Sequence, residues 1–92
     1  MDRTYMDMYP LADKLARYRQ IRGILSLYPE GLTAKEIAHQ MYEMHLVPTD
    51  ERNFSAPRLT EMEEKGQVQV IGKKRCQWTN KRVSIYQLVE AQ

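Results

Sequence analysis

Five basic side chains lie close together near the end of the sequence, within a stretch that contains no acidic residue. The stretch reads VIGKKRCQWTNKRVSIYQL and also holds the only cysteine, Cys76, and the only tryptophan, Trp78. Its basic residues are Lys73, Lys74, Arg75, Lys81 and Arg82. Three kinds of chemistry fit such a segment: a metal or redox site built on the thiol, a solvated run of charge, or a surface that binds something negative.

Metal binding and covalent catalysis have little support in this sequence. His39, His45 and Cys76 are its only histidines and cysteine, and a spacing of six places the two histidines on different helix faces. Cys76 alternates with Arg75 and Gln77 along a strand pattern, so we expect its thiol to face the core. No glycine-rich phosphate loop is present. We therefore expect no enzyme, no catalytic residue, no metal site and no cofactor.

Length, composition and charge limit the class of protein. The 92 residues suffice for one domain, with 42% apolar and 28% charged residues. One cysteine cannot form an internal disulfide, and the charged N-terminal segment has no apolar stretch typical of a signal peptide, so we expect a cytoplasmic protein. No apolar run approaches the length of about 20 residues that spans a membrane. Net charge is −3 over residues 1–64 but +5 over residues 65–92, which indicates an anionic partner for the C-terminal part.

Three helices are predicted before residue 66. Apolar spacing after Pro10 predicts helix 1 over about 11–28, and the capping box TAKE at 33–36 predicts helix 2 over about 34–45. Helix 3 is expected over 51–65, ended by Lys65 and Gly66. Pro57 disturbs its start, so either the helix bends there or its main part begins with Ser55 as the cap.

The C-terminal part is predicted to form a β-hairpin. Strands over 67–76 and 82–89 would pair around a turn near 79–81, where Asn80 tolerates a positive φ. A short third strand near 31–33 is a further expectation. The face packed on the helices is expected to carry Val68, Val70, Tyr86 and Leu88.

Three helices followed by a two-stranded hairpin form the order of an α+β winged helix-turn-helix fold. We expect this domain over 10–92, preceded by an arm of residues 1–9. The sequence resembles the small winged-helix DNA-binding proteins of phages and prophages, and more distantly the MarR-type regulators. The resemblance covers about residues 20–89 and rests on GLTAKEIAHQM, on APRLTEMEEKG and on the segment from Gly72 to Arg82, with Tyr86 in place of a family aromatic residue. The chain departs from that pattern at Ser55 and in the long polar turn HLVPTDER.

The resemblance implies binding to double-stranded DNA, with helix 3 in the major groove and the hairpin, or wing, on the phosphate backbone. The family's usual contact positions carry over to Asn53, Ala56 and Arg58. The full set that we predict for helix 3 is Arg52, Asn53, Ser55, Ala56, Arg58 and Thr60. The set for the wing is Lys73, Lys74, Arg75, Trp78, Asn80, Lys81 and Arg82. For Ser55 a helix cap is an equal alternative, and Trp78 either clamps the base of the loop or contacts a partner.

Two functions remain open at this stage. The first is a small transcriptional regulator of phage or mobile-element origin, with a homodimer formed through helix 1 and the arm MDRTYMDMYP. The alternative is a protein-interaction module that docks on a host nucleic-acid enzyme through its basic wing. Glu61, Glu63 and Glu64 make the second half of helix 3 acidic, so DNA binding requires that half to face away from the duplex.

Overall fold

The computed structural model describes residues 11–89, which form three α-helices and a three-stranded antiparallel sheet. The predicted arm, the proposed arm-mediated dimer contact and residues 90–92 lie outside the described residues. The helices are α1 (Leu11–Ser26), α2 (Ala34–Glu43) and α3 (Ala56–Glu64), with a short 3₁₀ helix at Arg52–Phe54. The strands are β1 (Leu32–Thr33), β2 (Val68–Arg75) and β3 (Arg82–Leu88). The predicted α+β class, its three helices and its third strand are confirmed.

The capping box predicted before α2 is present in full. The Glu36 amide donates to Thr33 Oγ1 at 3.2 Å, and the Thr33 amide donates to Glu36 Oε1 at 2.9 Å. These two bonds satisfy backbone groups that a helix start leaves without partners. They also hold β1 directly against the first turn of α2.

Two helices end earlier than predicted because their last carbonyls are bonded by tight turns. α1 ends at Ser26, and the amides of Leu27 and Tyr28 donate to carbonyls only three residues earlier. α2 ends at Glu43, where His45 adopts a left-handed φ of 62°. The Leu46 amide then reaches the Met41 carbonyl at 2.9 Å. This Schellman arrangement usually uses glycine at the left-handed position.

The third helix resolves the difficulty posed by Pro57. The chain forms a single 3₁₀ turn, and α3 starts after Ser55 with Pro57 in its first turn, as the second of the two alternatives predicted. Its end is also confirmed, because Gly66 has φ 76° and the Gln67 amide donates to the Met62 carbonyl at 2.8 Å.

The sheet has the strand order β1–β3–β2, so β3 lies in the middle. β1 places Leu32 opposite Tyr86, and β2 pairs with β3 up to the closing pair Arg75 and Arg82. A bulge between Val70 and Gly72 adds one residue to β2. The expected turn lies between the strands, with Asn80 at φ 64° as predicted.

The core lies between the three helices and one face of the sheet. Its members include Ile21 and Leu25 of α1, Ile37 of α2, and Leu59 of α3, all buried. Val68 of β2 joins them with 2% exposure.

The predicted inner face of the sheet carries Val68, Val70, Tyr86 and Leu88. Val68 is buried, and Tyr86 and Leu88 pack on the core. Val70 is paired with Tyr86 and so points to the same side of the sheet, but it remains 38% exposed. Val70 lies beside the bulge on an outer strand, which has a neighbouring strand on one side only.

Gly31 permits the close approach of β1 to β3. It has φ 93°, and a Cβ at this position would lie 2.8 Å from both Ile85 Cγ2 and the Tyr86 carbonyl oxygen. Only glycine meets both requirements.

Within residues 11–89, no helix is both long and apolar enough to cross a membrane.

Candidate nucleic-acid interface

A cleft of about 520 Å³ lies between the 3₁₀ segment and the hairpin. Arg52 and Asn53 line one side, and Lys73 and Arg82 line the other. Trp78 lies among the lining residues from the turn of the hairpin. We call this space the basic cleft; it brings together residues predicted separately for helix 3 and for the wing.

The strand register explains why these hairpin residues share one face. Lys73 is paired with Ser84, and side chains of directly paired residues point to the same side of an antiparallel sheet. Arg82, Ser84 and Tyr86 follow one another at intervals of two along β3 and all line the basic cleft. Ser84 and the cleft role of Tyr86 were not predicted from the sequence, although the two-residue period is visible in RVSIY.

Three cations of the basic cleft have no acidic partner among residues 11–89. Arg52, Lys73 and Arg82 are exposed, and none of them forms an ion pair or a side-chain hydrogen bond within that range. Lys81, at the start of the return strand, is likewise exposed and unpaired in the described part of the chain. These side chains are available to an external anion.

Two neighbouring basic residues of the wing are instead used inside the protein. Lys74 Nζ lies 2.7 Å from Glu36 Oε2 on α2. Arg75 donates to the Asn80 side chain at 3.1 Å and to its carbonyl at 3.3 Å. Asn80 therefore serves to close the turn, and Lys74 and Arg75 have less capacity for a partner than their sequence positions suggested.

Arg58 is turned toward α1 rather than toward the basic cleft. Its Nη2 donates to Glu61 Oε2 at 3.1 Å, and its Nε lies 3.0 Å from Oε1 of the same carboxylate. The Tyr18 hydroxyl also donates to Glu61, at 2.5 Å. This bond lowers the pKa of Glu61 and raises the pKa of Tyr18 from their ordinary values. Only 16% of the Arg58 side chain is exposed, and it is held by Glu61, the residue that bonds α3 to Tyr18 of α1.

The prediction that Ser55 contacts DNA is wrong, because the residue is completely buried. Its hydroxyl donates to the Ala34 carbonyl at 2.6 Å and lies 3.2 Å from the Arg52 carbonyl. Ser55 occupies the N-cap position of α3, but its side chain makes no capping bond. The hydroxyl instead fastens the start of α3 to the start of α2.

Two other predicted helix residues differ in exposure. Ala56 is half-buried and packs against the core, while Thr60 is exposed and its hydroxyl donates to the Ala56 carbonyl at 3.2 Å. Asn53 is exposed on the 3₁₀ turn. The reachable polar side chains therefore lie mainly before α3 rather than along it.

Trp78 rests on α2 and still keeps 42% of its surface exposed. Its ring centroid lies 5.6 Å from that of His39 and 5.6 Å from Lys35 Nζ. Lys35 also binds the carboxylate of Asp50 at 3.0 Å, and His39 Nδ1 lies 3.3 Å from the other oxygen. The bonds from Lys35 and His39 lower the pKa of Asp50. We call Trp78, Lys35, His39 and Asp50 the wing brace.

The acidic residues of α3 have different surroundings. Glu61 faces α1, as DNA binding requires, and Glu63 lies near enough to Tyr86 for its charge to affect the pKa of that hydroxyl. Burial, with the Glu63 charge in second place, raises the pKa of the Tyr86 hydroxyl, while Arg52 opposes the shift. Glu63 itself is exposed and is not among the residues that line the basic cleft. Glu51, another carboxylate, lines the basic cleft directly.

Cys76 is buried at the turn, outside the main hydrophobic cluster. A hydrogen bond with the Thr79 side chain lowers the pKa of its thiol, and burial opposes that shift. Among residues 11–89, no group of three histidine, cysteine or acidic side chains could hold a metal ion.

Comparisons of this chain with protein families, with curated proteins and with solved structures found no match.

Proposed function

We propose that the protein binds double-stranded DNA through the basic cleft and its rim. In this proposal α2 and α3 form a helix-turn-helix, and the β2–β3 hairpin is the wing. The observation that carries it is the convergence of Arg52, Lys73 and Arg82 on one cleft without acidic partners in the described chain. Unpaired cations at one surface are what a phosphate backbone requires.

In this proposal the residues predicted for helix 3 do not all contact DNA. Arg52 and Asn53 are the exposed residues that suit base edges, since arginine pairs with guanine and asparagine with adenine. Arg58 is held by Glu61, so its contribution is to position α3. Lys73, Lys81 and Arg82 supply contacts to phosphate.

A transcriptional regulator is the form of this function that we favour. Binding of this kind blocks or recruits other proteins at a DNA site without any catalysis. Symmetric operators are read by dimers, so the homodimer remains part of the proposal.

Fluorescence anisotropy with labelled duplexes at several salt concentrations tests the proposal. We expect the double variant Lys73→Ala/Arg82→Ala to weaken binding to all sequences and to reduce the slope of log K against log salt by about 2, one for each lost phosphate contact. Arg52→Ala should mainly reduce discrimination between sequences.

The matched control removes the same charge elsewhere. Arg19 and Arg22 are exposed on α1 and border a different depression. Arg19→Ala/Arg22→Ala should keep the wild-type salt slope. Because both residues lie on α1, the helix proposed for the dimer, size-exclusion chromatography establishes that this variant keeps the oligomeric state of the wild type. Absence of duplex binding even at about 50 mM salt, where phosphate contacts are strong, would contradict the proposal.

A second candidate is a protein-interaction module that uses the same surface. The presence of Glu51 in the cleft and of Glu63 near Tyr86 favours it, because a rim of mixed sign suits a protein better than a uniformly negative duplex. An acidic face of a nucleic-acid enzyme would be the partner. This second candidate predicts no duplex binding but inhibition of such an enzyme. Lys73→Ala/Arg82→Ala should abolish the inhibition, whereas Arg19→Ala/Arg22→Ala should leave it unchanged.

A further inference from the structure

We infer that the basic cleft is a site for one nucleotide unit, that is, a phosphate group joined to a flat heterocyclic ring. This inference rests on the proposed function, because it assigns a ligand class to the same surface. It adds that the cleft receives a ring as well as a phosphate.

The lining of the cleft separates into an apolar part and a charged part. Ala34, Val83, Tyr86 and the indole of Trp78 supply apolar surface. A flat base stacks on aromatic side chains of this kind without requiring a particular sequence. The volume of about 520 Å³ falls within the range of small-molecule sites, roughly 300–1,000 Å³.

The charge of the cleft suits a phosphate monoester. Four basic side chains and one carboxylate line it, and the amine of Lys35 is already bonded to Asp50. The cations left for a ligand are Arg52, Lys73 and Arg82. A phosphate monoester carries a charge of about −1.5 to −2 at neutral pH and has three acceptor oxygens.

Polar groups beside these cations can recognise the rest of the unit. Asn53 and Ser84 both line the cleft and supply amide and hydroxyl groups. Such groups hydrogen-bond to base edges and sugar hydroxyls. A ring without phosphate lacks the ionic contacts, and a phosphate without a ring leaves the apolar surface unused.

Trp78 provides the readout, because it is the only tryptophan and lines the cleft. The experiment titrates the full chain with adenosine monophosphate, adenosine and inorganic phosphate while following tryptophan emission. We expect saturable quenching by the monophosphate and at least about tenfold weaker binding of the other two, since each lacks one half of the contacts.

Two variants locate the site. Lys73→Ala/Arg82→Ala should weaken the monophosphate by about tenfold or more, whereas Arg19→Ala/Arg22→Ala should not change its affinity. Ser84→Leu keeps every charge and fills the cleft, so it should also abolish quenching. Far-UV circular dichroism establishes that each variant is folded. Equal binding to wild type and Ser84→Leu would overturn the inference, because the ligand would then lie elsewhere.

Competition separates a free nucleotide from a unit within a strand. If the monophosphate displaces a labelled duplex, both use the cleft; if only a single-stranded oligonucleotide does so, the unit belongs to a strand. Duplex binding without any binding of monophosphate or single strand overturns this inference and leaves the proposed function intact. Monophosphate binding without duplex binding leaves this inference intact and contradicts the proposed function.

Discussion

Adjacent residues of the same type have different roles in this protein. Lys73 faces the basic cleft without an acidic partner in the described chain, whereas Lys74 points to the other side of β2 and pairs with Glu36. The alternation of side chains along a strand causes the difference. Sequence counts of basic residues in the wing therefore overstate the charge available to a partner.

Ser55 should matter for stability rather than for binding. Ser55→Ala removes the buried bond to the Ala34 carbonyl, and we expect it to lower the free energy of unfolding by about 1–2 kcal/mol. Urea unfolding followed by Trp78 emission measures this loss. Duplex affinity should stay at the wild-type value under native conditions. A variant with wild-type stability and weakened DNA binding would contradict the assignment.

Glu61 should make the protein sensitive to acid. Its pKa is lowered in the folded state, so the unfolded chain binds the proton more readily, and stability is lost as the pH falls from the ordinary value of 4.5 through the folded value. Glu61→Gln should reduce stability at neutral pH and flatten this dependence. Urea midpoints measured between pH 7 and about pH 3 test it. Glu64→Gln, an exposed neighbour on α3, is the control and should leave the wild-type slope.

The helix ends follow local rules, but the left-handed position after α2 holds a residue that disfavours this backbone conformation. His45 holds the left-handed position after α2, which costs roughly 1–2 kcal/mol for a residue with a Cβ. His45→Gly should therefore stabilise the protein by about 1 kcal/mol, raising the melting temperature by roughly 4–8 °C. Differential scanning calorimetry measures the shift. Gly66→Ala, at the equivalent position after α3, should lower the melting temperature.

The wing brace should act on the position of the hairpin rather than on its charge. Trp78→Ala removes the contacts with His39 and Lys35, so we expect the wing to lose its fixed position. Duplex affinity should fall severalfold, because ordering the wing on binding costs free energy. The salt slope should remain that of the wild type, because no phosphate contact is lost. A reduced salt slope in anisotropy titrations would contradict this positioning role of Trp78, because phosphate contacts would then have been lost.

Local sequence signals predict the helices, strands and turns, whereas side-chain pairs between distant residues determine which residues of the site are accessible. The capping box at Thr33, the stop at Gly66 and the turn at Asn80 are encoded by residues within a few positions of each other. The pairs Lys74–Glu36 and Tyr18–Glu61 join residues far apart in sequence, and no local pattern indicates them. Arg58 and Ser55 were expected to contact DNA because the bonds that hold them also depend on residues distant in sequence, Tyr18 and Ala34. The bulge in β2 is also unmarked, apart from the nearby glycine.

At the scale of the molecule, positive charge is concentrated where two distant segments meet. The 3₁₀ turn supplies Arg52 from an N-terminal part that is acidic as a whole, and the hairpin supplies Lys73 and Arg82 from the basic C-terminal part. The fold therefore produces a local cationic surface on a chain whose net charge is only +2. Such a surface attracts an anionic partner more effectively than the net charge suggests.

The central place of β3 has a consequence for biosynthesis. β1 pairs only with β3, and β2 needs the same strand, so neither can enter a sheet before residues 82–88 have been made. The helices of a growing chain can pack on one another, but Tyr86 and Leu88 are still missing from the core at that stage. We therefore expect this sheet to form only after residues 82–88 have left the ribosome.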